Sequence, residues 1–178
     1  MLNIVLFEPE IPQNTGNIMR TCVATHTALH LIKPLGFSLD EKSIKRSGVN
    51  YIKYCQYNIY ENWEDFMEKN KDGEFYFFTR YGHKPHSDFD YKDKGKNIYL
   101  VFGKESTGIP RWILKPNLDS CARIPMTDKV RALNLSNCVA LVTYEAMRQR
   151  NYEDLLRDEP TCEQHKGNHF IEDYEKEA

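Results

Sequence analysis

The stretch VFGKESTGIP, residues 101–110, decides how the chain is read. An apolar run that begins at Ile98 stops on Gly103 and turns through a short polar loop into Gly108-Ile109-Pro110. A strand ending in this way leaves backbone amides exposed at its carboxyl end, where open α/β sheets bind small polar or charged ligands. Two other segments are built alike. Asn14-Thr15-Gly16-Asn17 with Arg20 follows the first apolar run, LNIVLF. Ile124-Pro125-Met126 leads into Arg131-Ala132-Leu133-Asn134-Leu135-Ser136-Asn137.

Working outward from these segments, short apolar runs alternate with amphipathic ones. The patterns predict strands at 2–7, 29–33, 53–57, 74–79, 98–102 and 122–124, and helices from Thr15, over 38–46, over 62–69 and over 136–149. Asn14 reads as the cap of the first helix, and Ser38 with Glu41 has capping-box spacing for the second. Near-continuous apolar strands separated by helices predict an α/β fold with a mostly parallel sheet covered by helices on both faces. The stretch 81–96, rich in Gly, Pro, Asp and Lys, reads as a surface loop.

A chain of 178 residues with 40% hydrophobic content builds one core, and we assign a single domain to 1–152 and an acidic tail to 153–178. Residues 1–150 carry a net charge of +4 and the remainder −6. A mildly basic body is compatible with a nucleic-acid partner, although too weakly charged to hold a polyanion by charge alone. No run approaches the roughly 20 apolar residues of a membrane span, and the first residues open directly on a strand, so the expected location is cytoplasmic, with no membrane partner. Five cysteines, an odd number with no CxxC pair and mostly in apolar context, point to reduced core thiols.

Several familiar chemistries fail on the residues. Gly103 to Gly108 has phosphate-loop spacing, but Ile109-Pro110 stands where Lys-Ser/Thr must follow. The first strand runs into EPEIPQNTG and not GxGxxG, so no dinucleotide is indicated. His83 and His86, or Cys162 with His165 and His169, give only half of a metal-ligand set, so no metal is expected. No serine lies in a GxSxG elbow.

The three glycine- and asparagine-bearing segments, taken in order, resemble the motifs of the SPOUT class of S-adenosylmethionine-dependent RNA methyltransferases. The likeness spans 1–152. It is closest to the small subgroup that methylates the ribose 2′-OH of the wobble nucleotide, cytidine or uridine type, in the tRNA anticodon. The resemblance implies a carboxyl-terminal trefoil knot, which the rules of chain connection would never predict, and a homodimer whose sites draw on both subunits. It assigns cofactor contacts, mainly through backbone, to Phe78, Thr79, Gly103, Ile124, Ala132, Leu133 and Asn134, with glycines permitting close approach of backbone to cofactor. Arg20 falls at the target ribose and phosphate, with Asn14, Glu105 and Asn137 shaping the catalytic site. A guanidinium forks onto phosphate but is a poor proton acceptor, so Arg20 is read as orienter and electrostatic stabiliser. Glu105 is the nearby carboxylate able to take a proton or to hold Arg20. RNA contacts are expected from Lys42, Lys45 and Arg46 on the Ser38 helix, from Arg80 with Tyr81 available to stack on a base, and from Arg131 and Tyr144.

Overall fold

Strand β1 (Leu2–Phe7) is buried along its whole length, as a central parallel strand must be when both faces are covered. In the computed structural model, which describes residues 1–38, 52–162 and 165–172, it pairs in parallel with β2 (Ala28–Ile32) on one side and β6 (Ile98–Phe102) on the other. The sheet continues through β3 (Tyr57–Tyr60), β4 (Glu74–Phe78), β5 (Lys84–Pro85) and β7 (Cys121–Arg123). Its order is β3-β2-β1-β6-β4-β7-β5, seven strands with every pairing parallel.

The pleat sends alternate residues to two separate cores. Leu2, Ile4 and Leu6 face α1 (Pro12–Ala24) and α4 (Leu135–Gln149), where Ile18, Met19, Val139, Val142 and Ala146 close over them. Val5 and Phe7 face the other way, toward α2 (Trp63–Asn70) and α3 (Arg111–Leu114), in a core rich in rings: Tyr60, Trp63, Phe66, Phe77 and Tyr99. The expected helices on both faces are therefore present, and α1 packs directly against α4. Leu155 packs onto the first core, three residues past the expected edge of the domain. Beyond it lie a short antiparallel pair, Thr161–Cys162 with His165–Lys166, and a 3-10 turn, Asn168–Ile171. All five cysteines are free, with Cys22 and Cys121 buried and Cys162 exposed.

Local differences from the sequence reading have identifiable causes. Helix α1 starts at Pro12 with Ile11 as its cap, so Asn14 lies inside the first turn; proline at the first helical position suits that start because its missing N–H would be unpaired anyway. The third strand is Tyr57–Tyr60 and not 53–57, because Leu29 N–H donates to the Gln56 carbonyl and the ladder with β2 begins only there. Stretch 81–96 contains β5 and a fully buried Tyr91, whose hydroxyl donates to the His86 carbonyl at 2.6 Å, so it is packed and not simply a surface loop. Helix α3 carried no sequence signal. The Ser38 helix, with Lys42, Lys45 and Arg46, lies outside the described residues.

One feature of the sheet positions the site. β7 lies between β4 and β5, so residues 79–83, which join those two strands, must cross it: Ala122 pairs with Phe78 on one side and Lys84 on the other. A Cβ on Gly82 would stand 2.4 Å from the Ala122 carbonyl carbon, so only glycine lets the crossing chain lie flush on β7.

Candidate active site

Four neighbouring strands, β1, β6, β4 and β7, point their carboxyl ends at one place. The chain leaves β1 toward β2 but leaves β6 toward β7, on the opposite side, which makes the β1–β6 junction a topological switch point, where parallel sheets open a crevice. A cavity of about 510 Å³ lies there, within the range of small-molecule sites. It is lined by Phe78 and Thr79 after β4, by the loop from Gly103 to Ile109 after β6, by Ile124 and Met126 after β7, and by Arg131, Ala132, Leu133 and Asn134 ahead of α4. All seven residues read from the sequence as cofactor contacts line this one cavity.

The β6 loop is clasped to the β1 loop by three successive residues. Lys104 Nζ donates to Glu8 Oε2 at 2.7 Å, and Ser106 donates to Glu10 through its backbone N–H at 2.9 Å and its hydroxyl at 2.8 Å. Between them, the Glu105 carboxylate accepts from Glu10 N–H at 2.9 Å, Ile11 N–H at 3.3 Å and Asn14 Nδ2 at 2.9 Å. Glu105 thus satisfies backbone donors at the entry to α1 that no side chain of α1 caps. The network runs on: Asn134 Nδ2 donates to Asn14 Oδ1 at 3.0 Å, while Asn134 Oδ1 accepts from Ser136 N–H at 2.9 Å and caps α4. These bonds shift the titrations as expected: the hydrogen bonds from Ser106 hold the Glu10 carboxyl below its ordinary value, and the bond to Glu8 raises the Lys104 ammonium. Two helix N-termini are therefore pinned to one loop.

The glycines of that loop act first on the loop itself. A Cβ on Gly103 would lie 2.1 Å from the Gly108 carbonyl carbon and 2.2 Å from Ile109 N, and Gly108 has φ +75°. Gly108 N–H donates to the Lys104 carbonyl at 2.8 Å, closing the turn. Their freedom is spent on this reversal, where the sequence reading had assigned it to approach of backbone to a cofactor.

The remaining predicted residues divide by location. Asn14 is buried and Glu105 half-buried at the cavity. Arg20 is exposed on α1 and is not part of the cavity lining of its own chain. Asn137 is exposed one residue past Ser136, also outside the lining. Tyr144 is half-exposed on α4 and lines a separate hollow with His26 and Tyr152. Arg80, Tyr81 and Arg131 stand at the cavity. The clasp partners Glu8, Glu10, Lys104 and Ser106, and the lining residues Met126 and Cys138, escaped the sequence reading; partners some 95 residues apart leave no local pattern. Among the described residues there is no cluster of side chains fit to hold a metal ion, and no helix is long and apolar enough to cross a membrane.

These features define an α/β protein with a ligand cavity at the switch point of a parallel sheet, walled by apolar side chains and strand-end backbone. The chain belongs to the SpoU rRNA Methylase family, whose model matches residues 1–144. It is 52% identical over 156 residues, 88% of this chain and 92% of the relative, to a Listeria monocytogenes protein provisionally named as a tRNA (cytidine(34)-2′-O)-methyltransferase. Among solved structures it matches an RNA methyltransferase, again provisionally named, from Bacillus anthracis at 55% identity and TM-score 0.84, covering 87% of this chain and 98% of that one. A second, from work on 2′-OH methylation of C/U34 on tRNA, matches at 36% identity and TM-score 0.78, covering 86% and 98%.

Proposed function

We propose that this protein methylates the ribose 2′-hydroxyl of the wobble nucleotide, cytidine or uridine type, in the tRNA anticodon, with S-adenosylmethionine as donor and in the cytoplasm. The observation that carries the reading is the single cavity into which the three sequence segments converge; the relatives' printed activity supports the choice of substrate. When bound, S-adenosylmethionine supplies an electrophilic methyl group on a sulfonium. The cavity suits such a ligand because Phe78, Phe102, Ile124 and Leu133 offer apolar walls while Gly103, Ala132 and Leu133 offer backbone polar groups. Thr79 and Asn134 complete the polar edge.

Methyl transfer to a hydroxyl depends above all on alignment, and the clasp supplies it. Glu105 acts as a positioning residue, since its carboxylate already accepts three N–H donors; this replaces its reading as proton acceptor. Asn14 and Asn134 relay that position to α4. Arg20 orients the ribose and its phosphate, with Asn137 hydrogen-bonding the same nucleotide. Because Arg20 lies outside its own chain's cavity lining, we infer a homodimer in which Arg20 of one protomer serves the partner's cavity. The crossing of β7 by residues 79–83 supports the trefoil knot implied by the family resemblance. Arg80 and Arg131 grip RNA at the mouth, and Lys42, Lys45, Arg46 and Tyr144 extend the grip over the body.

The test is nucleoside mass spectrometry of tRNA incubated with protein and labelled S-adenosylmethionine. A labelled 2′-O-methyl nucleoside at the wobble position is expected; cofactor binding without any such product sinks the reading. Arg20→Ala removes turnover and spares cofactor affinity. A mixed dimer of an Arg20→Ala chain with an Ala132→Trp chain, whose cavity the exposed new ring fills, regains activity, because one site then unites an intact cavity with an intact arginine from the other subunit; inactivity of that dimer refutes the shared site.

A further inference from the structure

The crossing at 79–83 leaves one aromatic ring standing in solvent at the mouth of the cavity. Tyr81 is 63% exposed yet belongs to the cavity lining, and it joins neither core. Its backbone is fixed from several sides. Tyr81 N–H donates to Thr79 Oγ1 at 3.3 Å, Gly82 N–H to the Thr79 carbonyl at 3.2 Å, and the Arg123 guanidinium donates to the Arg80 carbonyl. Gly82 lies flush on β7. A large exposed ring on a stiff loop costs little ordering entropy when a flat ligand settles on it.

The ring is also wrapped in positive charge. Arg80 lies over it with Cζ 4.6 Å from the ring centroid, and the same guanidinium donates to the phenol oxygen. That bond, with smaller contributions from Arg131 and Arg111, holds the phenol below its ordinary titration point. Arg111 opens α3, immediately after Gly108-Ile109-Pro110, and went unremarked in the sequence. Two arginines beside one exposed ring at the cavity mouth, Arg80 and Arg131, match a chain that is anionic along its backbone and carries flat, stackable bases, which is the chemistry of single-stranded RNA.

We propose that Tyr81 is the stacking platform for an unpaired base beside the methylated nucleotide, and that Arg131 holds a flanking phosphate. This rests on the RNA-methylation reading and extends it to how the strand is held. Arg80 keeps the ring in place, so Tyr81 selects unstacked loops over paired stems: a base within a helix presents no free face to it.

The experiment uses a short hairpin RNA with 2-aminopurine placed next to the target nucleotide in its loop. Binding to the full chain quenches the probe. Tyr81→Leu abolishes the quench and raises KM for tRNA by about 5- to 150-fold, with kcat and S-adenosylmethionine affinity kept, whereas Tyr81→Trp retains the quench. Arg131→Ala lowers the slope of log affinity against log salt by about one and leaves the quench intact. Unchanged KM and quench in Tyr81→Leu overturn the proposal, and so does a loss confined to cofactor affinity, which would make the ring a cover for the cofactor. A protein that binds and quenches the hairpin through Tyr81 but transfers no methyl group supports the platform and refutes the methyl-transfer reading alone.

Discussion

The two walls of the cavity are built on opposite plans. On the β1–β6 side, Glu105, Asn14 and Asn134 bind one another and the backbone, and few of their polar atoms are left for a ligand. On the β4–β7 side, Arg80 and Tyr81 stand exposed on a short, anchored segment, and Arg131 is exposed in the loop after β7. The first wall sets geometry, and the second is the one proposed above to meet RNA. Position is best fixed by mutually satisfied groups, because hydrogen bonds in a network reinforce one another. Recognition of a charged polymer calls for exposed cations, whose fields reach outward.

Substitutions on the two walls should therefore fail in different ways. Gly103→Ala strikes the first wall hardest, since its Cβ would meet backbone atoms 2.1 to 2.6 Å away. We expect a loss beyond about 3 kcal/mol, a melting temperature lower by about 10 °C, and no cofactor binding by calorimetry. A normal melting curve with intact binding would show that the loop has slack.

A buried group on neither wall supplies a reference for pure stability. His30 Nε2–H donates to Asn3 Oδ1 at 3.2 Å while Nδ1 pairs with Tyr60 Oη at 2.8 Å, and burial lowers its pKa from 6.5 to about 4. The unfolded chain thus takes up this proton before the native one does, and the stabilisation present above pH 6.5 is lost as pH falls toward 4. The loss is on the order of 3 kcal/mol, read from urea melts between those limits, and His30→Gln flattens the profile. If both proteins give the same slope, His30 is not the group responsible.

Glu105→Ala leaves two backbone N–H groups and the Asn14 amide without their acceptor, a cost of about 1–3 kcal/mol. A double-mutant cycle with Asn14→Ala should return a coupling of at least about 0.5 kcal/mol in stability and a fall in kcat that outweighs any change in tRNA KM. Additive effects would dissolve the first wall into separate contacts. Arg131→Ala has the smallest effect: melting is unchanged, while affinity for tRNA drops modestly and its salt slope falls by about one. Equal losses at all salt concentrations would move Arg131 from the second wall to the first.

How far the sequence discloses these walls depends on the range of the interactions. β1, β6 and α4 were legible because their apolar periodicity is local, and the convergence of the three strand-end segments followed from the rule for parallel sheets. The start of α1 at Pro12 was legible too, and was missed because an asparagine two residues on looked like the better cap. What stayed hidden is pairwise and distant. Glu105 can be seen beside Gly103, but nothing local says that its oxygens serve Glu10 and Ile11. Arg20 carries its motif on α1 yet stands outside the cavity of its own chain, since a helical pattern says which face is buried and not which neighbour that face will meet. Tyr91, buried in a stretch of loop composition, was masked by the charged residues around it.

The crossing of β7 by residues 79–83 has a consequence for how the molecule comes into being. β4 and β5 do not pair with each other; β4 pairs along one edge with β6, but its other edge and β5 are met only by β7, made later in the chain. Gly82 finds its seat only once Ala122 has arrived. The wall that carries Arg80 and Tyr81 is therefore among the last parts to assemble, after long-range closure that local structure cannot hurry. A chain interrupted before residue 121 has the paired β1 and β6 strands but no β7 to seat residues 79–83, so a half-made molecule lacks the cavity mouth.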